Sequence, residues 1–409
     1  MHRFGTCQHP GPEFQGPSFG VAPQQVPGQP PPVHGRTAYI VAGDPSGDEL
    51  AAEVVRAWHD VEPGIRFAGA GGPALAAAGM ELRTDLTRHA VIGLWEVLRR
   101  LWTFRRLFRE LLGDCVARRP DVVLGVDFGG FNLRFAAAVR SRSMTIPGWR
   151  PRIVQLVSPQ VWASRPGRAR KMERTLDLLL AILPFEKAWY ASHAPGLRVE
   201  QVGHPLVDRW AGRDRSPLPT DIPEVLLLPG SRPGELQRHV PVQAEAARIL
   251  ARHARVQPRM VVSSPAMAAL AARLAGDVLV PEVGGLGDAL RRATLAIAST
   301  GTVTLECAWH GVPTLAMYRT SWLTYQVGRR LVTVRHLAMP NILAGEEVMP
   351  EYIQSAATPE SIAAAALQWL ADKPRLGAAR ARLLQVSAML GEPGSARRSA
   401  SCLAAVRHA

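Results

Sequence analysis

The stretch Leu226-Leu-Leu-Pro-Gly-Ser-Arg-Pro-Gly-Glu235 decides the fold, because it turns a buried strand into the start of a helix. Residues 225–228 form an apolar run without helical period, which is typical of a parallel strand covered on both faces. Proline and glycine then end the strand, and Ser231 stands where a helix N-cap is expected. Such a turn presents backbone N–H groups and the positive end of a helix dipole at the carboxyl edge of a sheet. Since Arg232 adds a fixed cation, we predict a diphosphate site here.

Length and composition limit the class of protein. At 409 residues the chain is too long for one core, which predicts at least two domains. It contains no run of apolar residues long enough to span a membrane and no apolar signal core at its start. The four cysteines are scattered without metal or disulfide spacing, so we expect a reducing cytoplasmic compartment and no metal or other cofactor. A net charge of +14 favours an anionic partner, but the aromatic interleaving of RNA-binding modules is absent, so no nucleic acid is expected.

The order of the segments predicts the architecture. Residues 1–35 are rich in Pro, Gly and Gln and are predicted to be a disordered leader. From there on, strands alternate with helices, which predicts an α/β fold of two doubly wound, Rossmann-like domains that face each other across a cleft. We place these domains at 36–205 and 206–357, followed by terminal helices at 358–409 that pack back on the first domain. The predicted strands are Thr37–Ala42, Phe67–Ala70, Val122–Val126, Ile153–Val157, Leu178–Leu183, Val225–Leu228, Met260–Val262, Leu295–Ala298 and Thr314–Met317.

A polar turn with the sequence Ala42-Gly-Asp-Pro-Ser-Gly-Asp48 follows the first predicted strand. It can be a simple helix entry in which Ser46 or Asp48 is the N-cap. Alternatively, Gly47 lets a substrate approach the backbone closely while Asp44 binds or polarises a hydroxyl group.

The turn Gly125-Val-Asp-Phe-Gly-Gly-Phe-Asn132 also ends an apolar strand. An acid that leaves a buried strand is costly unless it is paired or used. Asp127 can therefore act as a general base on a sugar hydroxyl, or it can be a structural, helix-capping residue.

A third turn, Ala298-Ser-Thr-Gly-Thr-Val-Thr-Leu-Glu306, leads from a strand into a helix. The amides of Gly301 to Val303 can hold a phosphate group at the helix start. Glu306 lies about one helical turn further on, where it can accept hydrogen bonds from a ribose. Serine and threonine caps are common, so a purely structural turn is the alternative.

The stretch Gly93–Leu112 combines apolar and aromatic residues with five arginines. This pattern is typical of a helix in the headgroup layer of an anionic membrane, although a core helix with a solvated face shows it too. The residues that we expect at the membrane are Trp95, Leu98, Trp102, Arg105 and Arg106.

These motifs and their order resemble the lipid-A-disaccharide synthase family, membrane-surface glycosyltransferases of the two-domain GT-B type. The resemblance covers about Ala38 to Ile353. Besides the turns described above, it rests on Val91–Val97, Val157–Ala163, Ile182–Lys187, Val202–Pro205 and Met339–Gly345.

The resemblance implies an inverting transfer of 2,3-diacylglucosamine from its UDP derivative to 2,3-diacylglucosamine 1-phosphate (lipid X). The product is a β-1,6-linked disaccharide 1-phosphate, and UDP is released. Asp127, or Asp44, is the general base, and Arg232 stabilises the leaving diphosphate without a metal. Implied donor-site residues are Gly230, Ser231, Arg232, Ser299, Thr300, Gly301, Thr302, Glu306 and Asn341, and implied cleft residues are Ser46, Gly47, Asn132 and Ser158.

The chain departs from the family pattern at three positions. Asp44 replaces the usual Glu, the segment 128–132 lacks a second carboxylate, and Ser164 replaces a usual tryptophan.

Two alternative functions remain: another GT-B enzyme, such as a UDP-N-acetylglucosamine 2-epimerase or a peptidoglycan glycosyltransferase, and a non-catalytic membrane-bound sugar-nucleotide binder. The resemblance implies a cytoplasmic protein that is peripherally associated with the inner membrane, and a homodimer is an open alternative to a monomer.

Overall fold

The structure is a computed structural model that describes residues 35–87 and 101–406, with side chains from residue 104 onward in the second range. The predicted leader lies outside the described residues except for its last residue. From Arg36 onward the chain forms one compact unit.

The first sheet contains seven strands, and all neighbouring strands are parallel. Its strands are β1 (Thr37–Ala42), β2 (Arg66–Gly71), β3 (Glu81–Asp85), β4 (Val122–Val126), β5 (Arg152–Leu156), β6 (Leu178–Ala181) and β7 (Val199–Gln201). Their spatial order is β3-β2-β1-β4-β5-β6-β7.

The second sheet contains six strands and is also parallel. Its strands are β8 (Glu224–Leu228), β9 (Gln257–Val262), β10 (Glu282–Val283), β11 (Ala293–Ser299), β12 (Thr314–Tyr318) and β13 (Glu351–Ile353). Their spatial order is β10-β9-β8-β11-β12-β13, which repeats the order of the first sheet without its last strand.

Helices connect the strands and cover both sheets. In the first half they are α1 (Pro45–Val61), α2 (Pro73–Ala77), α3 (Leu101–Arg118), α4 (Gly129–Thr145), α5 (Val161–Ser164), α6 (Arg168–Glu173) and α7 (Glu186–His193). After α8 (Pro205–Trp210) between the sheets come α9 (Pro233–His253), α10 (Pro265–Ala275), α11 (Leu286–Arg292), α12 (Thr302–Trp309), α13 (Trp322–Leu331) and α14 (Met339–Ala344). The chain ends with α15 (Pro359–Ala371), α16 (Lys373–Ala388) and α17 (Ser395–Ala405), and 3₁₀ turns lie at Gly276–Val278 and Gln354–Ala356.

The strand order places the four predicted turns at two equivalent positions. In each sheet the order reverses direction between the first and the fourth strand, and ligands of open α/β sheets bind outside the carboxyl ends of the strands at that point. The turns after β1 and β4 flank the reversal in the first sheet, and the turns after β8 and β11 flank it in the second.

The last helices contact both halves of the molecule. Leu383 of α16 is buried in a cluster with strands β8 and β11, whereas Leu403 of α17 is buried in a cluster with β1 and α1. Arg36 secures α17, because its guanidinium donates to the carbonyl of Val406 at 2.6 Å and to that of Ala404 at 3.2 Å. The C-terminal segment therefore ties the second half back to the start of the first.

All strands predicted from apolar runs are present, with ends that differ by up to three residues. Two predicted strands extend too far. Val157 lies beyond β5 and has a φ of 65°, so it belongs to the following turn, and Leu183 lies beyond β6, which ends at Ala181. The sequence patterns missed β3, β7, β10 and β13, which are the edge strands of the two sheets. No helix in the described parts of the chain is both long and apolar enough to cross a membrane.

Candidate active site

The two acids of the first half lie side by side at the carboxyl ends of β1 and β4. Asp44 is the N-cap of α1, because its Oδ1 accepts from the amide of Gly47 at 2.7 Å, and the exposed Ser46 hydroxyl donates to the same oxygen at 3.3 Å. A Cβ atom on Gly47 would lie 2.8 Å from that oxygen and 3.6 Å from the Cβ of Asp127. The turn thus needs glycine here, and both carboxylates border the same small space.

This arrangement changes one part of the sequence-based interpretation. Neither Ser46 nor Asp48 caps α1. Asp48 is buried and instead accepts from the amides of Gly72 and Ala74 at 2.7 and 2.9 Å, which closes the start of α2.

The backbone at Asp127 is strained. Asp127 and Phe128 have φ values of 48° and 43°, in the left-handed region that L-residues avoid. Such residues cost about 1–3 kcal/mol each and persist only where the surroundings hold them. Two buried amides do so, since Asn132 Nδ2 and Gln155 Nε2 each donate to the carbonyl oxygen of Asp127 at 2.9 Å.

The electrostatic environment of Asp127 includes both halves of the molecule. Burial raises the pKa of its carboxyl, and the neighbouring Asp44 raises it further. The amide of Phe128 and the guanidinium of Arg232 lower it, but less than burial raises it. Arg232 therefore lies close enough across the cleft for its charge to act on Asp127. A raised pKa brings a carboxylate closer to the range in which it is an effective general base.

The turn after β8 is closed by Glu235, whose role was not predicted from the sequence. The N-cap of α9 is Arg232, not Ser231, and Glu235 Oε2 accepts from the amides of Ser231 and Arg232 at 3.0 and 3.3 Å. Glu235 Oε1 also pairs with Arg232 Nη1 at 3.3 Å. Gly230 has a φ of 115° and would clash with Glu235 if it carried a Cβ atom.

These contacts correct the expectation that the amides of this turn are free. A glutamate at the third helical position commonly folds back on the N-cap amide, and the spacing from Arg232 to Glu235 was a visible signal for it. The Arg232 side chain remains 79% exposed, so it can still meet an anion in the cleft.

The turn after β11 leaves its amides available. Gly301 is the N-cap of α12 with a φ of 139°, and it is exposed together with Thr302. None of the described residues accepts a hydrogen bond from the amides of Gly301, Thr302 or Val303. The Thr300 amide, in contrast, donates to the carbonyl of Met317 at 3.0 Å, and Ser299 is buried. The exposed amides and the helix dipole form a suitable phosphate site.

Glu306 lies on the buried face of α12. Its Oε1 accepts from Arg209 Nη1 at 3.0 Å, whereas Oε2 is buried without a hydrogen-bond partner in the described structure. Burial raises the pKa of Glu306, and Arg209 opposes the shift. Arg209 belongs to α8, between the two sheets, and the sequence carried no clear signal for this pair. The unpartnered oxygen is a suitable acceptor for a hydroxyl group.

Asn341 is farther from solvent than the sequence reasoning assumed. Its side chain is completely buried, donates to Met349 O and Glu351 Oε1 at 2.7 and 2.8 Å, and accepts from the amides of Val348 and Met349 at 2.8 Å. All of its hydrogen-bonding capacity is used, so the geometry gives Asn341 a positioning role for residues 348–351 and no direct contact with a ligand.

Two residues expected in the cleft are also buried. Ser158 Oγ lies 2.8 Å from the Tyr190 hydroxyl, and Asn132 holds the backbone beneath Asp127. Both support the first-half turns from below. Gln155, a buried polar residue in an otherwise apolar strand, was overlooked, although its polarity was a visible signal.

Only part of the expected membrane surface is described. Trp95 and Leu98 lie outside the described residues, as does the side chain of Trp102. Arg105 and Arg106 are exposed on α3, and Arg106 pairs with Glu110 at 2.7 Å. From residue 107 onward the apolar face of α3 is core, because Leu107 and Leu111 are buried against the first sheet, and this part of the stretch does not face a membrane.

Within residues 35–87 and 101–406, no group of three or more His, Cys, Asp or Glu side chains is arranged to hold a metal ion.

The comparisons with known proteins agree with this geometry. A family model described as lipid-A-disaccharide synthetase matches residues 38–406. The lipid-A-disaccharide synthase of Syntrophus aciditrophicus (strain SB) is 37% identical over 380 residues, which cover 90% of this chain and 97% of that protein. That of Anaeromyxobacter dehalogenans (strain 2CP-1 / ATCC BAA-258) is 38% identical over 374 residues, or 87% of this chain and 94% of its own.

The chain belongs to the lipid-A-disaccharide synthase family. It is an enzyme, a hexosyltransferase of the kind that forms the lipid A disaccharide.

Solved structures support the fold. A putative UDP-N-acetylglucosamine 2-epimerase from Listeria monocytogenes superposes with a TM-score of 0.57 at 15% identity and covers 90% of this chain and 94% of its own. The calicheamicin glycosyltransferase CalG4 has the same TM-score of 0.57 at 14% identity, with 91% and 99% covered. These likenesses show the GT-B fold of two Rossmann-like sheets, as the sequence predicted.

Proposed function

We propose that the enzyme transfers 2,3-diacylglucosamine from its UDP derivative to the 6-hydroxyl of 2,3-diacylglucosamine 1-phosphate with inversion. The single observation that carries the proposal is that the Arg232 guanidinium of the second half lowers the pKa of the Asp127 carboxyl in the first half, so that an acid and a cation act at one site. A proton acceptor thus faces a cation that can receive a leaving diphosphate.

In this mechanism Asp127 removes the proton from the 6-hydroxyl as its oxygen attacks the anomeric carbon. The bond between that carbon and the β-phosphate oxygen breaks, and UDP leaves with the bonding electrons. Arg232 and the amides of Gly301 and Thr302 stabilise the developing negative charge in place of a metal. Protonated Asp127 then returns the proton to solvent.

Asp127 is a better candidate for the base than Asp44. One carboxylate oxygen of Asp44 is already used to cap α1 and accepts from Gly47 at 2.7 Å. Asp127 has a raised pKa and a backbone held in a strained conformation by Asn132 and Gln155. Asp44 then contributes its negative charge, which raises the basicity of Asp127.

The donor nucleotide is proposed to lie along the second half. Its diphosphate contacts Arg232 and the turn after β11, and its ribose donates to the unpartnered Oε2 of Glu306. To reach the amides of Ser231 and Arg232 it must displace the Glu235 carboxylate.

We also propose that the enzyme works in the cytoplasm at the surface of the inner membrane, since both substrates carry acyl chains. Trp95, Leu98, Trp102, Arg105 and Arg106 are proposed to contact that surface.

The test is product formation from the two purified acylated sugars by the native enzyme and by Asp127→Asn. Disaccharide 1-phosphate and UDP in equal amounts from the native enzyme, and neither above background from the variant, support the proposal. Epimerised UDP-sugar without disaccharide would indicate the epimerase alternative, and nucleotide binding without any product would indicate a non-catalytic binder.

A further inference from the structure

Helix α13 exposes more apolar surface than a soluble helix normally does. Trp322, Leu323, Val327 and Leu331 are 71%, 68%, 51% and 37% exposed, and α13 contains no fully buried residue. Contiguous exposed apolar patches of this kind mark sites of interaction.

The apolar side chains of α13 share one face. Leu323, Val327 and Leu331 are spaced four residues apart, so they form a continuous stripe along the helix. Trp322 extends the stripe at its start, and Val332, 36% exposed, extends it at its end. The helix is therefore amphipathic, with its apolar face toward solvent.

The charged residues of the segment 319–345, which contains α13, are all basic. Arg329 and Arg330 lie in the last turn of α13, and Arg335 follows it. Residues 319–345 contain no Asp or Glu. No ion pair joins these three arginines to any residue in the described part of the chain.

The position of α13 connects it to the cleft. Before the helix, the Arg319 amide donates to His239 Nε2 at 3.0 Å, and His239 Nδ1 lies 2.7 Å from the carbonyl of Pro229 in the diphosphate turn. After the helix, the Thr333 amide donates to the carbonyl of Ala163 at 2.8 Å, and the Thr333 hydroxyl donates to the carbonyl of Trp162 at 3.2 Å. Thus α13 connects the residues after β12, which contact the turn after β8, with the short helix α5 of the first half.

We propose that α13 is an interfacial helix that docks the second half of the enzyme on an anionic lipid bilayer. Its ten residues are too few to span a bilayer, but an amphipathic helix with arginines beside an apolar stripe binds in the headgroup layer. A symmetric contact with a second copy would bring the same arginines together, and this repulsion disfavours it.

The proposal is independent of the catalytic one, because vesicle binding is measured without turnover. The full chain is sedimented with vesicles of phosphatidylcholine alone and of phosphatidylcholine mixed with phosphatidylglycerol. One variant carries Leu323→Ser, Val327→Ser and Leu331→Ser, and a second carries Arg329→Gln and Arg330→Gln. Matched controls are Met144→Ser with Val280→Ser, at residues 71% and 88% exposed elsewhere, and Arg174→Gln with Arg273→Gln.

We expect the stripe variant to bind mixed vesicles about tenfold more weakly than the native chain. The arginine variant should lose about tenfold on mixed vesicles and little on neutral ones, and its loss should shrink as salt is raised. Both controls should bind within about twofold of the native chain.

Two results would overturn the proposal. The first is native-like vesicle binding by the stripe variant while its circular dichroism shows an intact fold. The second is a change in sedimentation velocity of the stripe variant without any change in vesicle binding, which would make α13 a contact between copies of the chain.

Discussion

The turns after β1 and β4 can be compared directly with those after β8 and β11, because both pairs flank the reversal of strand order in sheets of the same topology. The first pair presents two carboxylates, Asp44 and Asp127. The second pair presents a guanidinium and exposed helix amides. One architecture used twice thus presents acidic groups on one side of the cleft and a cation with exposed amides on the other.

The two sides also differ in how firmly they are held. Asp127 is partly buried, and two buried amides hold its strained backbone in place. The Arg232 side chain is 79% exposed, and Glu235, at 3.3 Å, is its one ion-pair partner among the residues that the structure describes. A general base benefits from a preorganised position, whereas a long exposed cation retains the rotamer freedom to follow a leaving group.

The largest loss of activity should come from substituting an acid of the first half. Asp127→Asn removes the proton acceptor with little change in shape, so kcat should fall about 10³-fold. Binding of UDP, measured by calorimetry, should stay within about twofold because the donor turns are unchanged.

Asp44→Asn is the matched control for this prediction. Its effect on kcat should be at least tenfold smaller than that of Asp127→Asn, because Asp44 acts through its charge. The reverse ranking would make Asp44 the base.

The cation side should be the next most sensitive. Arg232→Ala removes a charge that stabilises the leaving diphosphate, which costs about 3 kcal/mol in the transition state, or a loss of roughly 100-fold in kcat/KM. Arg238→Ala is the control, since Arg238 lies on the same helix and donates to Gly234 O at 2.7 Å. Equal losses in both variants, measured in the same assay, would show that only the general positive potential matters.

A third prediction concerns the ribose. Glu306→Gln should weaken UDP binding about tenfold, since hydrogen bonds to charged groups contribute about 1.5–3 kcal/mol. The native enzyme should bind a deoxyuridine diphosphate that lacks one ribose hydroxyl correspondingly more weakly, and the variant should discriminate less. Calorimetry with both nucleotides measures this, and unchanged discrimination in Glu306→Gln would remove the ribose contact.

The rigidity of the acid side can be tested through Gln155. Gln155→Leu leaves the partly buried carbonyls of Asp127 and Val157 without this amide, which should lower the free energy of unfolding by about 2 kcal/mol and kcat about fivefold. Gln243→Leu is the second-half counterpart, because the buried Gln243 amide donates to Ile297 O at 3.1 Å. It should lose similar stability in chemical denaturation but retain kcat. A loss of stability without a change in kcat for Gln155→Leu would contradict the positioning role.

The smallest effect is a shift in pH dependence that links the two sides. Because Asp127 must be ionised to act, activity should fall as the pH drops through its raised pKa. Asp44→Asn removes a negative neighbour, so the acidic limb of kcat/KM should move to lower pH. Arg232→Ala removes a positive neighbour, so the same limb should move to higher pH. If both variants moved the limb in one direction, a different group would control it.

The comparison also shows how far sequence reasoning reached into the site. The four turns were found because each one interrupts an apolar run with Gly, Ser or Asp, which is a local signal. The role of Glu235 was missed, although its spacing from Arg232 indicated a capping box. The pairing of Glu306 with Arg209 could not be predicted, because no pattern of neighbouring residues indicates it. Asn341 was placed in the cleft by resemblance, but its four hydrogen bonds are all internal.

The sequence by itself determined the class of fold, the interior strands, the position of the four turns and the family. These features depend on residues that are neighbours along the chain, where burial on both faces appears as an uninterrupted apolar run. The edge strands β3, β7, β10 and β13 were not predicted because β10 is exposed, the other three are only partly buried, and all four lack that run. Only the tertiary structure decided the strand order, which brings Asp127 near Asp44 and opposite Arg232, and the packing that buries Asn341 and exposes α13. Such contacts join segments that are distant along the chain, so no local pattern of residues encodes them.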